Sequence, residues 1–147
     1  MKDFRPVEGL RIIVLGALAA VAVALGPALA DQRFPINQEL LLDVPPIRPA
    51  KRVPALMVDA SGAAKIDLWC KSVSGQVEIS DASIRIVAEP LPDAMPQWLS
   101  KGQCTPQRMQ ADEDVLAALT QVTGWRRQGR TVLLLGPRTL KFRPSDH

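Results

Sequence analysis

The sequence predicts an α+β domain of short antiparallel strands with one helix, and three observations carry that prediction. From Ala55 onward, short runs alternate apolar and polar side chains and are separated by Gly, Asp and Ser, the pattern of half-buried strands. Only the segment between Thr105 and Gly124 combines helical spacing with a start and a stop signal. Once an amino-terminal leader of residues 1–30 is set aside, the remaining 117 of 147 residues suffice for a single apolar core.

The leader is read from its layout. Lys2, Arg5 and Arg11 precede an uncharged apolar run from Ile12 to Leu25, which Gly26, Pro27 and Ala28-Leu29-Ala30 follow. A basic end, an apolar stretch and small residues at Ala28 and Ala30 form a cleavable secretory signal, with cleavage expected before Asp31. The apolar run is shorter than the roughly 20 residues that a membrane anchor needs. Export places the mature chain in the periplasm or outside the cell. Any membrane contact is then through the signal or peripheral.

Removing the leader takes away three basic and two acidic side chains and leaves 15 basic and 13 acidic, a net charge near +2. The sequence pI of about 9.2 therefore reflects dispersed cations, and nucleic acid is excluded as a partner. Cys70 and Cys104 both lie in the exported part. An even count in an oxidising compartment reads as one disulfide, worth about 4 kcal/mol by loop entropy, with two buried free thiols as the alternative.

Residues 31–54 form a proline-rich approach, within which Gln38–Val44 reads as a strand or a short helical turn because Leu40, Leu41 and Leu42 are contiguous. Ala55–Val58 and Ala63–Trp69 flank Asp59-Ala60-Ser61-Gly62 and read as a hairpin. Its second arm puts Ile66, Leu68 and Cys70 on the core side. Gln76–Ile79 and Ser83–Ala88 form a second pair, with Ile84 and Ile86 or Val87 inward. Residues 89–102 carry three prolines and read as a long loop, in which Met95, Trp98 and Leu99 cap the core or form an exposed lid.

For the helix, Thr105 is the N-cap, Pro106 the first residue and Gly124 the terminator. Met109, Val115, Leu116, Leu119 and Val122 define its inner side, and Asp112, Glu113 and Asp114 a solvated one. The tail, Trp125–Gln128, Thr131–Leu135 and Arg138–Phe142, reads as three antiparallel strands, leaving residues 144–147 as a short end.

Leu68–Cys70, Cys104-Thr105-Pro106, Asp114–Leu119, Val122–Trp125 and Thr131–Phe142 together resemble the META domain family, over about residues 34 to 143. Cys104, Glu113 or Asp114, Leu116 and Leu119, Trp125, and Val132–Phe142 take the family's usual carboxy-terminal roles. The chain departs where Trp69-Cys70-Lys71 replaces the common Gly-Cys-Asn. The resemblance implies a strongly curved antiparallel sheet or partial β-barrel with one packed helix, centred on residues 55–143. It also implies an envelope or secreted setting linked to stress tolerance, without an established enzymatic activity.

The chemistry of the residues agrees with that implication. The single histidine, His147, is terminal, no C-x-x-C pair exists, and Gly124, Gly129 and Gly136 mark turns and not a phosphate loop. No cofactor or metal is implied. The most suggestive surface feature is Arg126, Arg127 and Arg130, with Arg138, Lys141 and Arg143 nearby, read as a cationic stripe for an anionic surface or as ordinary protection of exposed strands. The expected function is non-enzymatic binding of an envelope partner or an apolar or anionic ligand. The alternatives are a secretion-associated structural adaptor or a hydrolase with an unrecognised site.

Overall fold

The computed structural model describes residues 16–17, 19–21 and 33–146. Most of the expected leader, including Ala28 and Ala30, lies outside the described residues, as does His147. No helix among the described residues is long and apolar enough to cross a membrane.

Five strands, β1 (Leu40–Leu42), β2 (Ala55–Val58), β3 (Ala63–Asp67), β4 (Ser72–Ser80) and β5 (Ser83–Ala88), precede two helices, α1 (Pro96–Ser100) and α2 (Pro106–Thr120). Three more, β6 (Gly124–Gln128), β7 (Thr131–Leu135) and β8 (Leu140–Pro144), complete the α+β fold. Each strand pairs antiparallel with the next and β8 returns to β1, so the expected curved sheet closes on itself.

The closure is uneven. β4 and β5 pair from Gly75↔Ala88 to Ser80↔Ser83, whereas β5 and β6 meet only at Ser83↔Gly124. Helix α2 packs against β5, beside this gap. The approach segment is part of the ring, because β1 bridges β2 and β8, and the chain's end is too, because Pro144 pairs with Leu40.

Cross-strand partners share a face, so the register sorts the sheet into an inside and an outside. Leu40, Leu56, Ile66, Val132, Leu134, Leu140 and Phe142 point inward and are each at most 2% exposed. They fill the interior. Ile84 and Ile86 are buried while Val87 faces out, which settles that alternative. Ala64, Gly75 and Ala88 form an inward row of small residues, and a Cβ on Gly75 would lie 2.7 Å from the Val87 carbonyl oxygen. The strand backbones approach closely there, and only glycine leaves room.

Helix α2 starts as expected: Thr105 is the cap, its hydroxyl accepting the Arg108 N–H at 3.2 Å, and Pro106 opens the first turn. It ends before Gly124, at Thr120, with Gln121 in helical geometry donating to the Ala118 carbonyl. Gly124 opens β6 instead, beside the Ala82 carbonyl.

The helix's inner side also differs from expectation. Val115 and Leu119 are buried as predicted, but Met109 and Leu116 are half-buried, and Arg108, Asp112 and Ala118 complete the buried set. Arg108 stands where a capping-box acid would be. Its guanidinium donates to the carbonyls of Gly102 at 2.9 Å, Gln103 at 3.0 Å and Ile47 at 3.3 Å, tying the approach segment to the helix start.

Asp112 is 0% exposed, against the solvated position expected for it; only Glu113 and Asp114 face solvent. Its carboxylate accepts the Lys71 N–H at 2.9 Å and the Cys70 N–H at 3.1 and 3.2 Å. The turn between β3 and β4 is thereby fixed to the helix. A disulfide joins the same turn to the residue before the N-cap: Cys70 and Cys104 are bonded, with Cα atoms 5.1 Å apart, and both are buried. Residues 89–102 contain the short helix α1, but Met95 and Leu99 are 43% and 49% exposed and do not cap the core; Leu91 packs against it instead.

Burial pushes the Asp112 carboxyl above its ordinary value of 3.8, against the N–H donors of Lys71 and Cys70, which pull it down. A raised folded value means that the pH-dependent part of this group's contribution to stability is fully present below about pH 3.8 and is lost as pH rises through the folded value, while the hydrogen bonds it accepts remain. Replacing Asp112 by Ala leaves two buried N–H donors without an acceptor, so urea unfolding at neutral pH should show a loss of about 2–4 kcal/mol. Asp112→Asn keeps one acceptor oxygen and costs less. The parent's stability relative to Asp112→Asn should fall as pH rises from about 3 to 7; a flat difference contradicts the assignment.

Candidate functional site at the barrel mouth

One end of the barrel is closed by α2, its disulfide and Asp112. At the other end, where the β2–β3, β4–β5 and β6–β7 turns gather, residues 33–37 lie against the opening among the described residues. Phe34 is 7% exposed and meets the Trp125 ring edge-on, with centroids 5.3 Å apart at 84°. The Asn37 N–H donates to the Val58 carbonyl at 2.7 Å, and Arg127 Nη1 donates to the Arg33 carbonyl at 3.1 Å. A short strap thus lies over the opening, with Phe34 packed into the core and Pro35 buried, and two hydrogen bonds tying its ends.

Two open clefts adjoin this strap. The first, about 440 Å³, is lined by Asp81, Ala82, Trp125, Arg126 and Arg127. The second, about 390 Å³, is lined by Phe34, Ile36, Val58, Val77 and Ile79 and by the turn residues 59–62. Both are of ordinary ligand-site size.

The turns that shape them follow from local chemistry. Asp59 Oδ1 accepts the Ser61 hydroxyl at 2.6 Å and the N–H groups of Ser61 and Ala63 at 2.9 and 3.0 Å, and Gly62 adopts φ +87°. The Ser61 hydroxyl holds the Asp59 carboxyl below its ordinary value, so it is ionised at neutral pH. Between β4 and β5 a two-residue turn places Asp81 at φ 46°, and the Ala82 carbonyl accepts the Trp125 N–H at 2.9 Å.

The three arginines of the expected stripe do not share one face. Arg126 points outward, opposite Leu133, which is itself opposite the outward Lys141. Leu133 is only 8% exposed on this outer row, consistent with the flanking aliphatic stems covering it. Arg127 is on the inward parity, half-buried, with Nε donating to the Gly129 carbonyl at 3.0 Å. Arg130 sits beyond the turn and pairs with Asp146 at 3.2 Å, both side chains over 70% exposed. Such a bridge contributes little. Arg126 has no hydrogen bond or ion pair among the described residues. The cationic feature is therefore the cleft wall of Arg126 and Arg127 beside Trp125, and not a stripe.

Trp125 has a second peculiarity: its Nε1–H is buried with no acceptor. Among the described residues no three His, Cys, Asp or Glu side chains are grouped to hold a metal ion. The strap was not legible as part of a site, because a lone Phe34 in a proline-rich segment gives no periodic signal. A better clue was present for Asp112, which lies three and seven residues before Val115 and Leu119 and so on the buried stripe.

A closed antiparallel barrel, with a helix across one end and a strapped mouth at the other, defines a class of small single-core β-barrel domains. The chain belongs to the META domain family, whose model matches residues 41–146. Its fold is similar to that of the protein from Burkholderia xenovorans solved by NMR, with a TM-score of 0.57 and 18% identity, covering 76% of this chain and 84% of that one. At this identity the likeness shows the fold alone. No curated protein matches the chain.

Phe34 tests whether the mouth is held as described. Truncating a nearly buried Phe to Ala should cost about 3 kcal/mol. In a Trp69→Phe, Trp98→Phe background it should also red-shift the emission of the remaining Trp125. Unchanged stability and emission would show that the strap does not close the mouth.

Proposed function

We propose that the protein is an exported, non-enzymatic META-type domain that supports stress tolerance by binding an envelope partner or a small ligand at the strapped mouth of its barrel. One observation carries this reading: over a filled interior, the mouth presents two adjoining clefts and a guanidinium, Arg126, that nothing among the described residues neutralises. A binding surface has this character, with unpaired charge beside apolar side chains on a rigid frame. The buried carboxylate, Asp112, is occupied by backbone donors and serves the fold.

Export follows from the leader read in the sequence, and the disulfide supports it, since such bonds persist in oxidising compartments. When the chain is produced with its own amino terminus, intact mass of the periplasmic fraction should correspond to a chain beginning at Asp31 with no alkylatable thiol. Crosslinked pull-down from native envelope should capture a partner or ligand that the Arg126→Gln, Arg127→Gln double variant loses by at least tenfold. A full-length chain retained in the cytoplasm contradicts export. Undiminished capture by the double variant contradicts the mouth as the binding surface.

A further inference from the structure

The two mouth clefts adjoin the Phe34–Trp125 pair, and their linings differ: arginines line one, aliphatic side chains and the acidic 59–62 turn the other. On one side stand Arg126 and Arg127 against a single acid, Asp81. On the other, Ile36, 40% exposed, and Ile79 stand over the buried Val58 and Val77, with Asp59 and Ser61 at the rim. We infer that the mouth binds a single-chain anionic amphiphile, of the fatty carboxylate or alkyl phosphate class, with its head at Arg126 and Arg127 and its chain along Ile36, Val58, Val77 and Ile79. The inference rests on the binding reading above and names the chemistry of the ligand.

Charge fixes the orientation. Asp59 borders the apolar cleft and is ionised, so an anionic head is repelled there and drawn to the arginine side. Arg127 is already held by the Gly129 and Arg33 carbonyls and presents its charge at little further entropic cost, while Arg126 is unengaged. Trp125 lines the arginine cleft, and its buried Nε1–H is without an acceptor. A buried donor in that state is uncommon, and a ligand oxygen admitted by movement of Phe34 would satisfy it. Packing limits the chain. Because Phe142, Leu40 and Leu56 fill the interior, the alkyl group lies across the mouth and not down the barrel axis, which leaves room for one chain.

The test uses 15N-labelled, oxidised protein titrated with dodecyl phosphate below its micellar concentration, with dodecanol, butyl phosphate and 3:1 phosphatidylcholine–phosphatidylglycerol vesicles as comparison arms. Dodecyl phosphate should bind one to one and shift the Trp125 indole N–H together with the Val58 and Val77 amides. Dodecanol and butyl phosphate should each bind at least tenfold more weakly. Arg126→Gln and Ile36→Ser, checked for native spectra, should each weaken binding at least tenfold.

Equal binding of dodecanol, undiminished in Arg126→Gln, would reduce the site to an apolar patch and overturn the proposal. Equal binding of butyl phosphate would reduce it to an anion site, with the same consequence. Vesicle binding without monomer binding would make this a membrane-facing surface, and no binding by any probe would also overturn it. If the envelope pull-down is abolished by the arginine double variant while no amphiphile binds, the mouth remains a partner surface and only the ligand class fails.

Discussion

Two backbone N–H groups in the turn after β3 end on one buried carboxylate, Asp112, and the placement of the helix depends on that contact. The barrel's ladder is nearly absent between β5 and β6, and helix α2 packs against β5 beside the gap. Apolar packing through Val115 and Leu119 supplies attraction but little direction. The carboxylate supplies direction, since its oxygens lie within 2.9–3.2 Å of the Cys70 and Lys71 nitrogens. The disulfide reinforces the same junction covalently, from the other side of the helix start. Arg108 then carries the constraint outward, reaching through Gly102, Gln103 and Ile47 to the approach segment. Helix, turn and approach are thus joined at one end of the barrel. The opposite end has no comparable junction.

That asymmetry separates stability from binding. At the helix end, Asp112 and the Arg108 terminal nitrogens are buried and met by backbone partners, with only Arg108 Nε unpartnered among the buried side-chain groups described there. At the mouth, a five-residue strap is anchored by Phe34 in the core cluster and by two hydrogen bonds, with an unpaired arginine and the exposed Ile36 beside it.

Much of this fold was legible because short-range patterning set it. The alternations at Ile66-Leu68-Cys70, at Ile84-Ile86 and at Leu140-Phe142 place side chains on the correct face whatever their partners are. Thr105 and Pro106 mark the start of α2 through purely local hydrogen bonding. What escaped depends on contacts distant in sequence. Closure of the barrel needs β1 between β2 and β8, and three contiguous leucines do not reveal which neighbours they join. Asp112 reads as a surface acid until the Cys70–Lys71 turn, 41 or 42 residues earlier, is brought against it. Gly124 reads as a helix stop, but the chain had already turned at Gln121 and used the glycine where β6 approaches Ala82. The arginine cluster was visible as composition; its division between the cleft wall, Arg126 and Arg127, and the turn residue Arg130 required the β6–β7 register.

Native-state hydrogen exchange at the Cys70 and Lys71 amides tests the central claim most directly. If Asp112 holds this turn as part of the barrel's cooperative unit, both amides exchange with protection comparable to that of the Ile66 and Val73 amides in the flanking strands, and opening them requires release of α2. Exchange of Cys70 and Lys71 at rates typical of exposed turns, while the strand amides stay protected, would contradict the account, because the helix would then be held in place without the carboxylate.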